Sequence, residues 1–387
     1  MKGGISMGSL FDYLNWRGDL SFSQSGINEV DGMIFSLLSY VDFGGIVPTS
    51  HEAGREIPLR AALNNFFSKH PTERTPSMGL MISKDFILFL KALKETKRFR
   101  NILLKAHVNQ IDHGLEMQFS ATTFLPGDGS AVIAFRGTDD TLVGWKEDFN
   151  LSFMESIPAQ RQALSYLEIA ALHFEGELRL AGHSKGGNLS VYSAVYCKED
   201  IQSRLQDAWS YDGPGFCNKI LDDPRYIKAR PVIRTLIPQS SIVGILLEHE
   251  ENYTVVKSRQ KGFLQHDGLS WEVMGTSFVH LETVSDECKR LDRNVNSFLQ
   301  TMSLEQREQF ADALYQLLSV DNALTLTDLI SMKRRWLARG RTLDPKVYQT
   351  LKQTIGAFVN VSAKSSRIGY FLPKKKMIES EQEQNDK

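Results

Sequence analysis

Between Leu178 and Tyr192 the chain reads Leu-Arg-Leu-Ala-Gly-His-Ser-Lys-Gly-Gly-Asn-Leu-Ser-Val-Tyr. An apolar run this short, broken by glycines and resumed with helical spacing, predicts a strand, a tight turn and a helix. The turn holds Gly182-His183-Ser184-Lys185-Gly186, a G-x-S-x-G pentapeptide. Such a turn sets a serine hydroxyl above the end of a sheet strand, where the backbone of the next residue faces it. Glycines flank the serine because a Cβ there would collide with the neighbouring strand and helix. The helix that follows brings the positive end of its dipole to the same spot. The pentapeptide alone arises by chance in about one chain in ten of this length. The strand before it and the helix after it give it weight.

The rest of the chain supplies a sheet for that turn. Ile102–Ile111, Leu115–Phe124 and Ser130–Phe135 alternate as strands, separated by the turn signals Asp112-His-Gly and Pro126-Gly-Asp-Gly. Residues 158–174 carry a helical pattern. Ala208–Tyr211, Val232–Ile237 and Tyr253–Lys257 read as further strands. Strands alternating with helices predict a three-layer α/β domain with a largely parallel central sheet. A ligand site then falls at the carboxyl ends of the strands, where Thr138, Ser184 and Asp212 all lie. Residues 1–100 read as an N-terminal arm followed by helices near 28–40, 59–67 and 84–94, packed on a core of residues 101–282. Residues 283–367 read as a small helical region. It is opened by the capping box Ser303-Leu-Glu-Gln306 and continued from Asp344-Pro345. Residues 368–387 are a charged tail expected to be disordered.

Several function classes find no support in the composition. The formal net charge is −1, so no nucleic-acid partner is expected. Three cysteines (Cys197, Cys217 and Cys288) have no metal-ligand spacing, and their odd number points to reduced thiols in the cytoplasm. No apolar run has the length of a membrane span. Neither a metal nor a cofactor is expected.

A serine hydroxyl needs a base, and the base needs an orienting carboxylate. On a sheet of this kind the chain order is nucleophile, acid, histidine. His249, His266 and His280 follow Ser184. Of these His266 is favoured, because it sits in the glycine-bounded loop Gly262–Trp271. Asp212, at a strand end before Gly213-Pro214-Gly215, is the favoured acid over Asp222, Asp223 and Asp267. The developing oxyanion requires preorganised donors. The Lys185 backbone N–H is one, and the Gly137-Thr138-Asp139 turn offers another, with the Thr138 hydroxyl as an addition. Asp140, Trp145 and Asp148 are expected at the rim.

Ala134-Phe-Arg-Gly-Thr138, Trp145, Asp148, Gly182–Gly187 and His266-Asp-Gly-Leu-Ser-Trp271 together resemble the class 3, fungal-type lipase branch of the α/β-hydrolases. The resemblance covers roughly residues 100–275. The N-terminal arm, the segment ending at Asp31 and Asp212-Gly-Pro-Gly-Phe216 resemble a bacterial subfamily of intracellular hydrolase-like proteins. It implies an α/β-hydrolase-type sandwich that cleaves carboxylic esters, small or lipid, through Ser184, His266 and an acid, with Thr138 and Lys185 as oxyanion donors. Two positions depart from the pattern. Lys185 stands where the family has a hydrophobic residue. A lysine there could bind an anionic substrate group or activate the serine, although one at a helix start more often reaches solvent. Ile237-Pro-Gln-Ser-Ser241, where the family carries its acid, has no carboxylate. Either Asp212 replaces that acid or the set is incomplete, leaving a silent scaffold that binds a ligand or partner. A peptidase or acyltransferase on the same machinery is a further alternative. The C-terminal helices are a candidate homodimer surface.

Overall fold

A computed structural model describes residues 8–52, 54–71, 85–139, 141–247, 249, 253–290, 292–293 and 302–318. In chain order its elements begin with helices α1 (Leu10–Arg17) and α2 (Glu29–Leu38), strand β1 (Ile57–Pro58), and helices α3 (Leu59–Lys69) and α4 (Phe86–Leu93). Strands β2 (Leu103–Asp112), β3 (Met117–Leu125) and β4 (Ser130–Phe135) follow, then helices α5 (Leu142–Asn150) and α6 (Pro158–Leu172). Next come β5 (Glu177–His183), α7 (Lys185–Tyr196), α8 (Glu199–Gln202), β6 (Leu205–Tyr211), α9 (Asn218–Leu221) and α10 (Pro224–Ala229). Strands β7 (Ile233–Pro238), β8 (Thr254–Val256), β9 (Val273–Met274), β10 (Ser277–Phe278) and β11 (His280–Leu281) complete the sheets, and a helix spans Leu304–Leu318. The expected helix from Asp344-Pro345 and the charged tail lie outside the described residues.

Nine strands form one sheet in the order β1-β2-β3-β4-β5-β6-β7-β8-β11. Strands β4 to β8 run parallel. The pairings from β1 to β4, and that of β11 with β8, are antiparallel. The sheet is therefore mixed, parallel in its centre and antiparallel at both edges. For β2, β3 and β4 the reason is local. Connections as short as 113–116 and 126–129 can only fold a strand back beside its neighbour, whereas a parallel partner needs a crossover of a dozen or more residues. At the first of these turns the Asp112 carboxylate accepts from the backbone N–H groups of Gly114 and Leu115. In the second, Gly127 and Gly129 take positive φ.

Helices cover both faces, and each face has its own apolar core. On one, α1–α4 pack Leu10, Tyr13, Phe35, Leu63 and Phe89 toward Phe124, Trp209, Tyr211 and Trp271. On the other, α6 and α7 pack Tyr166, Leu167 and Leu189 against Phe119, Phe135, Leu180 and Ala208. The N-terminal arm is itself helical. Ser9 and Asp12 form a capping box at the start of α1, and Gly8 pairs with Val273 through backbone hydrogen bonds.

A buried ion pair fixes the first face. Asn28 and Asp31 form the capping box of α2. The Asp31 carboxylate also accepts from the Arg98 guanidinium at 2.8 and 2.5 Å and from the Tyr13 hydroxyl at 2.7 Å, with both charged side chains fully buried. Arg98 further donates to the carbonyls of Ser25 and Gly26 and lies over the Phe22 ring. Two buried charges are tolerated only with such complete pairing. Here it ties the arm, α2 and the segment before β2 into one body.

The helix Leu304–Leu318 starts at the expected capping box. Gln306 N–H donates to the Ser303 hydroxyl and Ser303 N–H to the Gln306 side chain. It packs on α5 through the Lys146–Asp312 ion pair. Among the described residues no helix is long and apolar enough to cross a membrane, and all three cysteines are free thiols.

Candidate active site

Ser184 sits where β5 turns into α7, with φ +59° and ψ −133°. That conformation is one L-residues avoid, costing on the order of 1–3 kcal/mol. It persists because the neighbours are packed without slack. A methyl on Gly182 would lie 2.0 Å from the Gly186 carbonyl, and one on Gly186 would lie 2.2 Å from the Phe135 carbonyl oxygen. Helix α7 can close onto the end of β5 and onto β4 only with glycine at both places. The Ser184 N–H donates to Tyr211 O at 2.9 Å, fastening the turn to β6. The serine stays half-buried while the residues around it are buried.

Asp212, the residue after β6, also has positive φ (+50°), a conformation that aspartate accepts more readily than most side chains. Its carboxylate is buried. Oδ2 accepts from His266 Nδ1 at 2.6 Å, while Oδ1 accepts from Gly244 N–H at 3.1 Å and from the Ser241 hydroxyl. Residues 239–244 after β7, which include no carboxylate, thus supply donors to the carboxylate of the preceding strand. A methyl on Gly244 would lie 2.4 Å from Asp212 Oδ1, so the approach depends on that glycine. The other candidates lie elsewhere. Asp223 caps α10 and pairs with Arg225, Asp222 is exposed, and Asp267 caps the short turn Gly268–Ser270. His249 Nε2 bonds the Gly244 carbonyl and His280 pairs with Glu29 at the surface.

Lys185 corrects an expectation. Its side chain neither reaches solvent nor points to the serine; it is 1% exposed. The ammonium donates to Glu147 Oε2 at 2.8 Å, Gln118 O at 3.0 Å and Gln118 Oε1 at 2.9 Å. Glu147, fully buried on α5, also accepts from Gln118 N–H and Ala159 N–H. One ion pair therefore joins β3, α5 and the starts of α6 and α7 beneath the serine turn. Asn188, one turn into α7, donates to the Pro214 and Gly215 carbonyls and accepts from Gln160, which holds the loop after Asp212 against the same helix.

Thr138, at the end of β4, directs its hydroxyl to both oxygens of Asp148, at 2.8 and 2.6 Å. A hydroxyl has one proton to give. With Asp148 ionised the Thr138 proton goes to that carboxylate; with Asp148 protonated the carboxyl can donate instead, and the Thr138 proton is free for another acceptor. Burial pushes the Asp148 carboxyl up to about 6, against the opposing pull of the Lys185 cation and the Thr138 hydrogen bond. Trp145 lies on α5; Asp140 is outside the described residues. A surface cleft of about 490 Å³, lined by Trp209, Arg234 and Leu236 among others, includes neither Ser184, Asp212 nor His266.

A parallel-centred sheet with a strained serine at one strand end, and an aspartate–histidine pair delivered from the loops beyond, defines a hydrolase-like α/β scaffold. The chain belongs to the Mbeg1-like family, whose model matches residues 93–316. Among solved structures it is similar to the crystal structure of M37 lipase, with 17% identity over 55% of this chain and 68% of that one and a TM-score of 0.35. A search of curated proteins found no match.

Two measurements check this geometry. Ser184→Gly relieves about 1–3 kcal/mol of backbone strain and costs about 0.5–1 kcal/mol in the entropy of the unfolded chain. Its unfolding free energy in a denaturant titration is expected to exceed that of the wild type by about 1 kcal/mol. Equal or lower stability would mean that the turn is unstrained. Asp148, raised in the folded state, binds its proton more tightly there than when unfolded. Its contribution is complete below its unfolded pKa and is lost as pH rises through about 6. Asp148→Asn should therefore gain about 2–3 kcal/mol on the wild type between pH 4 and pH 7. A pH-independent difference would contradict the assignment.

Proposed function

We propose that this protein is a serine hydrolase that cleaves carboxylic ester or thioester bonds, in a small-molecule or lipid substrate, through an acyl-enzyme on Ser184. The observation that carries the reading is the 2.6 Å bond between His266 Nδ1 and a buried Asp212 carboxylate, at the same sheet end as the strained serine. That bond makes Nδ1 the donor and leaves Nε2 as the basic nitrogen.

In the reaction His266 Nε2 takes the Ser184 proton as Oγ attacks the carbonyl carbon. The carbonyl π electrons move onto oxygen, and Asp212 stabilises the imidazolium without taking its proton. The Lys185 backbone N–H and the Thr138 turn meet the oxyanion, and the start of α7 adds its dipole. Collapse breaks the bond to the leaving alcohol or thiol, which takes the proton from His266. Water then repeats the sequence, giving its proton to His266 and returning the serine with release of the acid. The two features that favoured a silent scaffold each have another explanation. Asp212 stands in for the acid after β7, and Lys185 is a buried half of an ion pair. Three free thiols support a reducing, cytoplasmic setting.

Hydrolysis of a panel of activated esters tests the proposal. Ser184→Ala and His266→Ala should each lose at least about a thousandfold in kcat, with Asp212→Ala close behind. Combining the changes should cost little more than the worst single one. Full turnover in folded Asp212→Ala would remove that residue from the set. Undiminished turnover in Ser184→Ala would end the reading.

A further inference from the structure

The residue before the serine is a histidine whose two ring nitrogens are both engaged. His183 is fully buried, its Nε2 lies 2.6 Å from the carbonyl oxygen of His266, and its Nδ1 lies 3.0 Å from the Tyr40 hydroxyl. A carbonyl only accepts, so Nε2 carries the proton, Nδ1 is the acceptor and Tyr40 donates. Burial holds His183 well below the usual histidine range, which keeps the ring neutral and this tautomer fixed. The Tyr40 hydroxyl in turn receives a hydrogen bond from the Gly137 backbone, and a methyl on Gly137 would lie 2.3 Å from that oxygen and 2.9 Å from Ser184 Cβ.

These bonds form one line. It runs from the turn after β4, through Tyr40 on the segment after α2, through His183 at the end of β5, to the backbone of the residue proposed as the base. The preceding carbonyl is held as well, since Gln265 O accepts from the buried Trp271 indole at 2.8 Å. Gln265 Oε1 accepts from Ser240 N–H at 2.9 Å. Trp271 and Ser240 hold the loop, and His183 holds the carbonyl of His266 itself. The two imidazoles lie 4.4 Å apart between centroids, tilted by 42°.

We propose that His183 is a positioning residue for His266: by clamping the His266 carbonyl from the nucleophile's own strand, it sets where the base sits relative to Ser184. This rests on the hydrolase reading for its consequence in catalysis, but the clamp itself can be observed without turnover. His183 takes no proton from substrate or serine. Its effect is geometric, and a shift of about 1 Å in a base costs on the order of a hundredfold in rate. His183→Phe keeps most of the ring's volume and loses the donor. His183→Gln keeps an N–H within reach of the carbonyl. Tyr40→Phe removes the hydrogen bond that holds the tautomer.

The test reads the His266 Nδ1 proton by NMR in the full-length protein, assigned by its loss in Asp212→Asn. Steady-state kinetics on an activated ester run alongside. In His183→Phe the resonance should shift or broaden, kcat should fall about a hundredfold and KM should stay within about threefold. His183→Gln should restore at least tenfold of the loss, and Tyr40→Phe should fall between. If His183→Phe does not fold, the Gln and Tyr40 variants carry the same comparison. An unchanged resonance and kcat in the folded variants would overturn the proposal while leaving the hydrolase reading intact. A perturbed resonance in a protein that turns over no ester would uphold the clamp and count against the hydrolase reading instead.

Discussion

The backbone of Ser184 is the constraint that the rest of the structure serves. A residue held at positive φ in a region that L-amino acids avoid returns to an ordinary conformation unless its surroundings forbid it. Gly182 and Gly186 let β4 and α7 close on the turn to within van der Waals distance. The Lys185–Glu147 pair pins the first residue of α7 from below, and Asn188 pins its first turn from the side. The strain is thus borne by buried hydrogen bonds spread over β3, α5, α6 and α7. Function and stability pull apart here, which is common where a reactive side chain must be held out of its resting geometry.

The same residues distribute the proposed catalytic partners. Each sits one or two positions from the end of a central parallel strand or in a loop tied to one. Ser184 N–H is fixed to β6 through Tyr211 O, and Asp212 N–H is fixed to β7 through Leu236 O. Consecutive strands are therefore stitched at the height where the chemistry is placed. The sheet sets the spacing of the three groups, and the loops have only to be held at single points. His183 and Trp271 do this for the histidine loop, and Ser241 with Gly244 does it for the aspartate. Loops beyond a parallel sheet are the usual place for such residues, because the scaffold can stay rigid while the loops vary.

Much of this was legible in the sequence, for identifiable reasons. The central strands and the serine turn announce themselves through apolar runs bounded by glycine, and the hairpin turns through Asp-His-Gly and Pro-Gly-Asp-Gly. Asp212 stands out as a carboxylate directly after an apolar strand, and the structure pairs it with His266. What escaped was long-range. Lys185 reads as a solvated helix-start lysine until Glu147 is known to lie buried beside it, 38 residues earlier in sequence. The helix that carries Glu147, Leu142–Asn150, is short and holds a glycine and a tryptophan, so its period is faint. The Ser9-Leu-Phe-Asp12 capping box is a local signal that α1 exists. From sequence His183 reads only as part of the turn, since nothing in the chain says that the loop 83 residues later folds over it. The antiparallel run β2-β3-β4 follows from connection length, which the strand pattern alone does not weigh.

The most direct test of the account is covalent. Wild-type protein is treated with a fluorophosphonate probe, which reacts with a serine only when a base withdraws its proton, and the modified peptide is located by mass spectrometry. The account predicts a single label on Ser184, absent in Ser184→Ala and formed much more slowly in His266→Ala. Folded wild-type protein that takes up no probe, or takes it up equally without His266, would contradict it.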